Sequence, residues 1–227
     1  RFPERIDQGY ILVLPGAWGE TPADESIVYG LRDANVAATV EMYDWTVAHW
    51  TAGWATVAYN VRSTDRNRDQ ARRIAAKIVA YQDRYPGRPV HLVGYSGGGA
   101  LAIWALEALP LNTKVTSAIL LAPSLSHDYD LQPALGHVEE SIRNFYSRYD
   151  IPVLLTLGTI IGNTNGSRRA SAGAVGFRSP SASVAEADDA AAGARLHQHA
   201  YEREMWDAGH PGGHFGWTNS EFVAKHI

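Results

Sequence analysis

The stretch "PVHLVGYSGGGALAIWALEAL" (89–109) constrains this chain more than any other. It opens with a short apolar run of strand length and closes with a largely apolar segment, 100–109, that reads as a buried helix. Between them one serine, Ser96, stands among glycines. Gly94-Tyr95-Ser96-Gly97-Gly98 matches G-x-S-x-G, and the pattern gains its meaning from the strand before it and the helix after it. A turn that tight brings the residues two before and two after the serine into collision unless both are glycine. A phosphate-cradling loop needs Lys-Ser or Lys-Thr after its glycines, and none follows. A flexible linker would not be flanked by apolar regular structure. A dinucleotide loop would need G-x-G-x-x-G early in the chain, and none is there.

The surrounding pattern alternates strands and helices. "YILVLPG" (10–16) reads as a buried strand broken at Pro15-Gly16. Residues 21–34 carry a helix start, with Thr21 as N-cap, Pro22 at the first helical position and Asp24 three residues after the cap. Residues 36–45 read as a second strand. Between 65 and 85, Ala71, Ile74, Ala75, Ile78 and Val79 form the stripe of an amphipathic helix. Strands follow at 89–95, 115–124 and 141–147, and a final helix at 220–227. Strands apolar on both faces and interleaved with helices predict an α/β fold, a parallel sheet covered on each side. The whole chain, 1–227, is expected to form one domain with an irregular excursion at about 160–200, rich in Gly, Ala, Ser and Arg. That excursion is expected to be locally mobile and to shape the mouth of a pocket, with Phe177 as its apolar contact; the alternative is a surface loop remote from chemistry.

Composition narrows the function classes. With 20 basic against 24 acidic residues, the formal charge is −4, which leaves no electrostatic footprint for nucleic acid or an anionic membrane. The absence of cysteine removes disulfides, thiolate catalysis and Cys-ligated metal. No apolar run approaches the roughly 20 residues that span a bilayer. His210 and His214, in "GHPGGHFGWT", have H-x-x-x-H spacing, but Pro-Gly-Gly between them forbids the helix a zinc motif needs, and no Glu intervenes. No metal site is expected, and compartment and oligomeric state have no sequence signal.

With "LPGAWG" after an early strand, "GYSGGG" after the central one and "GGHFGW" near the end, the chain resembles the α/β-hydrolase superfamily, in its compact bacterial-type esterase/lipase branch. The resemblance implies a doubly wound, mostly parallel sheet and a triad in the order serine, acid, histidine. It places the base on a loop before the last helix, where His214 and His210 both fit. His214 is favoured because two glycines let its backbone approach closely. The family's acid position falls on Asp150, with Asp128 and Asp130 as rivals one strand earlier. Oxyanion donors are expected from the amide of Gly97 and from that of Ala17, with Trp18 as second choice. Trp18 and Tyr95 are candidate substrate contacts because they neighbour these parts in sequence; the other tryptophans of the early chain, Trp45, Trp50 and Trp54, read mainly as core.

The expected activity is hydrolysis of a small-molecule carboxylic ester through an acyl-enzyme, without a cofactor. Alternatives on the same triad are a peptidase or amidase, a thioesterase or an acyltransferase. A non-catalytic binding protein on the same fold is the alternative from another class.

Overall fold

The computed structural model describes residues 5–47, 53–150, 162–178 and 194–227. Its strands are β1 (Tyr10–Leu14), β2 (Thr39–Met42), β3 (Val90–Tyr95), β4 (Val115–Leu121), β5 (Val138–Tyr146) and β6 (Leu196–Ala200). They form one sheet in the order β2-β1-β3-β4-β5-β6, and every neighbouring pair is parallel. The helices are α1 (Pro22–Asp33), α2 (Trp54–Arg62), α3 (Thr64–Arg84), α4 (Gly97–Glu107), α5 (Gln132–Leu135), α6 (Ala172–Val175) and α7 (Ser220–His226).

Alternation along each strand sorts the core onto two faces. Leu12, Leu14, Leu92, Ala118 and Leu120 pack with Val57 and Val61 of α2, Ile74 and Ile78 of α3, and most of α4. Ile11, Val13, Val93, Tyr95, Ile119 and Leu121 face the other way, onto Ile27 and Leu31 of α1 and Phe222 and Val223 of α7. A fully buried aliphatic side chain of this kind contributes about 1.5–3 kcal/mol relative to exposure. Helix α4 is buried on all sides from Gly97 to Leu106, which is why its sequence shows no amphipathic period. The start of α1 carries the expected capping box between Thr21 and Asp24, with Pro22 in the first turn.

The chain runs from β1 outward to β2, then crosses back to lay β3 on the other side of β1. The carboxyl ends of β1 and β3 therefore flank the point where the strand order reverses, the place where open α/β sheets build sites. Leu14 pairs with Gly94, so the loop that leaves β1 starts beside Tyr95 and Ser96.

Two elements depart from the expectation. Helix α2 has no strong apolar stripe; only Val57, Asn60 and Val61 of its residues are buried. Strand β6 lies inside the expected excursion, and its "LHQHA" sequence is half exposed, as an edge strand allows. Residues 162–178 are also better anchored than their composition predicts. Thr164 N–H donates to Ser124 O (3.0 Å), Ala172 N–H to Leu125 O (2.7 Å) and Gly173 N–H to Pro123 O (3.0 Å). Phe177 is 5% exposed and joins the core, and both of its main-chain polar groups bond Gln198. The expected role for Phe177 at a pocket mouth is thereby corrected. Small residues let this backbone press onto β4: a Cβ on Gly173 would lie 2.4 Å from the Ala122 carbonyl carbon. The remaining parts of the expected excursion, 160–161 and 179–193, and Trp50 lie outside the described residues.

Candidate active site

Ser96 sits between β3 and α4 with φ +52° and ψ −116°, in the left-handed half of backbone space. For a residue with a side chain this conformation costs roughly 1–2 kcal/mol. Its neighbours hold it there: Ser96 N–H donates to Leu121 O (2.9 Å), while Ser96 O accepts from Gly99 N–H (3.0 Å) and Ser124 N–H (2.9 Å). The glycines are dictated by space. A Cβ on Gly94 would lie 2.5 Å from Gly98 O, and one on Gly98 would lie 2.1 Å from Leu14 O. The Oγ of Ser96 makes no hydrogen bond to a described residue, and the residue is partly exposed.

Asp150 and His214, 64 positions apart in the chain, are brought together. Asp150 ends a short 3-10 turn (Arg148–Asp150) beyond β5, and His214 opens another (His214–Thr218) before α7. His214 Nδ1 lies 2.7 Å from Asp150 Oδ2. Asp150 is 0% exposed, and its Oδ1 has no partner among the described residues. Burial pushes its carboxyl above the usual aspartate range, against the opposing effect of the His214 contact. Ser147 Oγ–H donates to Gly212 O (2.6 Å) and ties the two loops to each other.

The rival residues have other work. Asp128 is bonded to Ser126 Oγ and paired with Arg169. Asp130 accepts Gln132 N–H (3.0 Å) at the start of α5. His210 is fully buried among Trp217 (ring centroids 4.0 Å), Tyr201 (4.9 Å) and Phe222 (5.1 Å). Its Nδ1 accepts Gly212 N–H (2.9 Å), so the neutral ring carries its proton on Nε2. Burial drives its pKa down to about 4.

The loop after β1 is fixed by side chains from three places. Pro15 O accepts Trp45 Nε1–H (2.8 Å), Ala17 O accepts from Asn60 Nδ2 (3.0 Å), and Gly16 N–H donates to Asp24 Oδ1 (3.0 Å). Gly16 O accepts Gly19 N–H (3.0 Å). The Ala17 N–H keeps no acceptor among the described residues. Ala17 Cβ would be 3.4 Å from a Cβ on Gly97, so the two predicted donor residues face one another, with Trp45 packed against both. Burial raises the Asp24 carboxyl, opposed by its bonds from Thr21 and Gly16. Of these three side chains, sequence reading assigned Asp24 only to a cap and Trp45 to the core. Asn60 left one signal: a polar residue on the otherwise apolar face of α2.

Trp18 is half-buried and packs edge-on against Trp54 (4.6 Å, 71°), which is itself exposed. Tyr95, the other candidate substrate contact, stands next to the site. It is 4% exposed and lies under the histidine loop, its hydroxyl 3.4 Å from His214 O and its ring 5.0 Å from the imidazole. As the last residue of β3 it shares the face of Val93 and packs with it in the core. Burial, with the Asp24 and Asp150 charges adding, pushes its phenol well above the usual range.

Comparison with known proteins agrees with this architecture. The family model for the alpha/beta hydrolase fold matches residues 11–166, and the chain belongs to that family. Among solved structures, an acetylxylan esterase is similar at 13% identity and a TM-score of 0.48, covering 96% of this chain and 94% of that one. A dienelactone hydrolase-like promiscuous phosphotriesterase from metagenomic libraries is similar at 14% identity and a TM-score of 0.46, covering 90% and 77%. No curated protein matches the chain. Among the described residues, no helix is long and apolar enough to cross a membrane.

Proposed function

We propose that this hydrolase cleaves carboxylic esters of small molecules through an acyl-enzyme, with Ser96, His214 and Asp150 as its triad. The observation that carries the reading is the buried 2.7 Å contact between Asp150 and His214, on loops at the same sheet end as the strained Ser96.

His214 takes the Ser96 hydroxyl proton on Nε2 as Oγ attacks the ester carbonyl carbon. Asp150 accepts the hydrogen bond from Nδ1–H, fixes the ring's tautomer and stabilises the imidazolium without taking its proton. The carbonyl π pair moves onto oxygen, and that oxyanion accepts from the Ala17 and Gly97 amides. Collapse re-forms the carbonyl and breaks the bond to the alkoxide, which leaves as alcohol with the proton from His214. Water then gives a proton to His214 as it attacks the acyl carbon; the bond from that carbon to Ser96 Oγ breaks, the carboxylic acid leaves, and His214 returns the proton to Oγ. Trp18, beside the Ala17 amide, contacts the bound ester.

A panel of p-nitrophenyl esters of increasing acyl length tests this with wild type and Ser96→Ala. Wild type turns over at least one ester, and Ser96→Ala turns over none while keeping its circular dichroism spectrum. A well-folded Ser96→Ala that retains more than a few per cent of the rate overturns the assignment.

A further inference from the structure

On the outer side of the loop that carries His214, the surface opens into a cleft of about 780 Å³. Its floor and walls come from Tyr149 in the 3-10 turn beyond β5, from Tyr201 just after β6, from the 3-10 turn Arg203–Ala208, and from Pro211. Tyr149 and Trp206 stand in it 71% and 61% exposed, a large aromatic surface left to water. Tyr201 completes the aromatic set, its ring perpendicular to that of Tyr149 (88°, centroids 5.8 Å). The histidine loop passes behind the two tyrosines: a Cβ on Gly212, at φ +95°, would be in ordinary van der Waals contact with Tyr201 (3.4 Å) and Tyr149 (3.5 Å).

The polar lining is equally specific. Arg203, Glu204 and Asp207 project into the cleft and make no ion pair or side-chain hydrogen bond among the described residues. Among the described residues, two planar acceptors and one planar donor thus stand unengaged around three rings, and the only aliphatic side chain in the lining is that of Pro211. A fatty chain does not fit, since it would strip water from three charges without replacing it. An anion meets two carboxylates against one guanidinium. An organic cation would suit the rings and the two carboxylates, but it offers the Arg203 guanidinium no acceptor. A neutral sugar ring suits all of it. Its C–H faces are apolar and stack on aromatic rings, while its rim of hydroxyls both donates to carboxylates and accepts from a guanidinium.

We propose that this cleft is a binding site for a neutral saccharide, seated on Tyr149 and Trp206 and held at its hydroxyls by Arg203, Glu204 and Asp207. The site is separate from the ester-cleaving machinery and does not depend on it. Its ligand lies against both segments that carry the acid–histidine pair, since Tyr149 precedes Asp150 and Pro211 shares its loop with His214.

The test is binding, not turnover. Wild-type protein is titrated by calorimetry with unesterified, β-1,4-linked tetrasaccharides of xylose, glucose, mannose and galactose, and separately with benzyltrimethylammonium chloride. The expected result is saturable binding of at least one tetrasaccharide with a Kd of about 1 mM or tighter. Trp206→Ala and Tyr149→Ala should each weaken it at least about tenfold, and Asp207→Asn several-fold, with thermal unfolding unchanged. Trp18→Ala, which alters a different surface, should leave it intact. The proposal is overturned if no tetrasaccharide binds at about 10 mM, if binding survives Trp206→Ala and Tyr149→Ala, or if only the ammonium ion binds. Loss of ester hydrolysis in Ser96→Ala has no bearing on any of these outcomes.

Discussion

Asp24 offers a sharp separation between holding a helix and holding a catalytic loop. One of its oxygens accepts the buried Gly16 N–H and the other accepts Thr21 N–H (3.1 Å), part-buried. Leucine at this position leaves the Gly16 N–H unpaired in the interior, a cost of about 1–3 kcal/mol. It also relieves a buried carboxyl whose pKa is raised by burial, so the two effects on stability oppose one another. Catalysis has no such compensation. The Gly16 tether adjoins the Ala17 amide, and loss of 1–3 kcal/mol of positioning at the oxyanion corresponds to a fall in kcat of about 5- to 150-fold. Asparagine behaves differently. Its amide oxygen faces the buried Gly16 N–H, and its NH2 faces Thr21, where the part-buried N–H bond is lost but the hydroxyl can rotate to accept. Steady-state kinetics on a p-nitrophenyl ester should therefore show kcat much reduced in Asp24→Leu at nearly unchanged KM, and largely restored in Asp24→Asn. Affinity for an alkylboronic acid, whose tetrahedral adduct places an oxygen in the same donors, should fall with kcat. If Asp24→Leu loses stability but keeps kcat, Asp24 is only a helix cap and the reasoning fails.

His214→Ala should lower kcat by on the order of 10³-fold or more, because triad members act as a unit, whereas His210→Ala should act chiefly on stability; kinetics and thermal melts on both variants would expose a reversal. Asp150→Asn should be far more damaging to kcat than Asp130→Asn, whose partner among the described residues is the Gln132 N–H; equal losses would move the acid elsewhere. Acid stability follows from His210. Its pKa falls from 6.5 to about 4 on folding, so between those values the unfolded chain binds the proton and the folded one does not. Stability is then lost as pH drops from 6.5 toward 4, by up to about 3 kcal/mol from this residue. The buried carboxyls of Asp24 and Asp150 work in the opposite sense, since their raised pKa values favour the folded state as they protonate. Urea midpoints at pH 7 and pH 5 should show a smaller pH dependence in His210→Phe than in wild type, and an unchanged slope would contradict the assignment.

What the sequence made readable was set by how local each signal is. The Ser96 turn was legible because its strand, its glycines and its helix are contiguous, and the collisions at Gly94 and Gly98 are short-range facts. The capping box of α1 is likewise contained in four residues. Asp150 could be placed beside His214 only through family resemblance, since nothing local to either residue specifies a partner 64 positions away. Asn60 and Trp45 were not legible as supports of the Ala17 loop because their partners are carbonyls brought near by the fold. Residues 162–178 were misread for a different reason. Low apolar content suggested weak burial, yet Gly173 and Ala172 pack closely because they are small. The burial of Tyr95 was not legible, because proximity in sequence to Ser96 says nothing about which face of the strand a side chain takes.

The central claim is that Ser96 is an activated nucleophile served by His214. Incubation with an alkyl fluorophosphonate, followed by intact mass measurement and peptide mapping, tests it most directly. One adduct per chain, mapped to Ser96, formed in parallel with loss of esterase activity and greatly slowed in His214→Ala, is the predicted result. An adduct on another residue, or full inactivation with Ser96 unmodified, would contradict it.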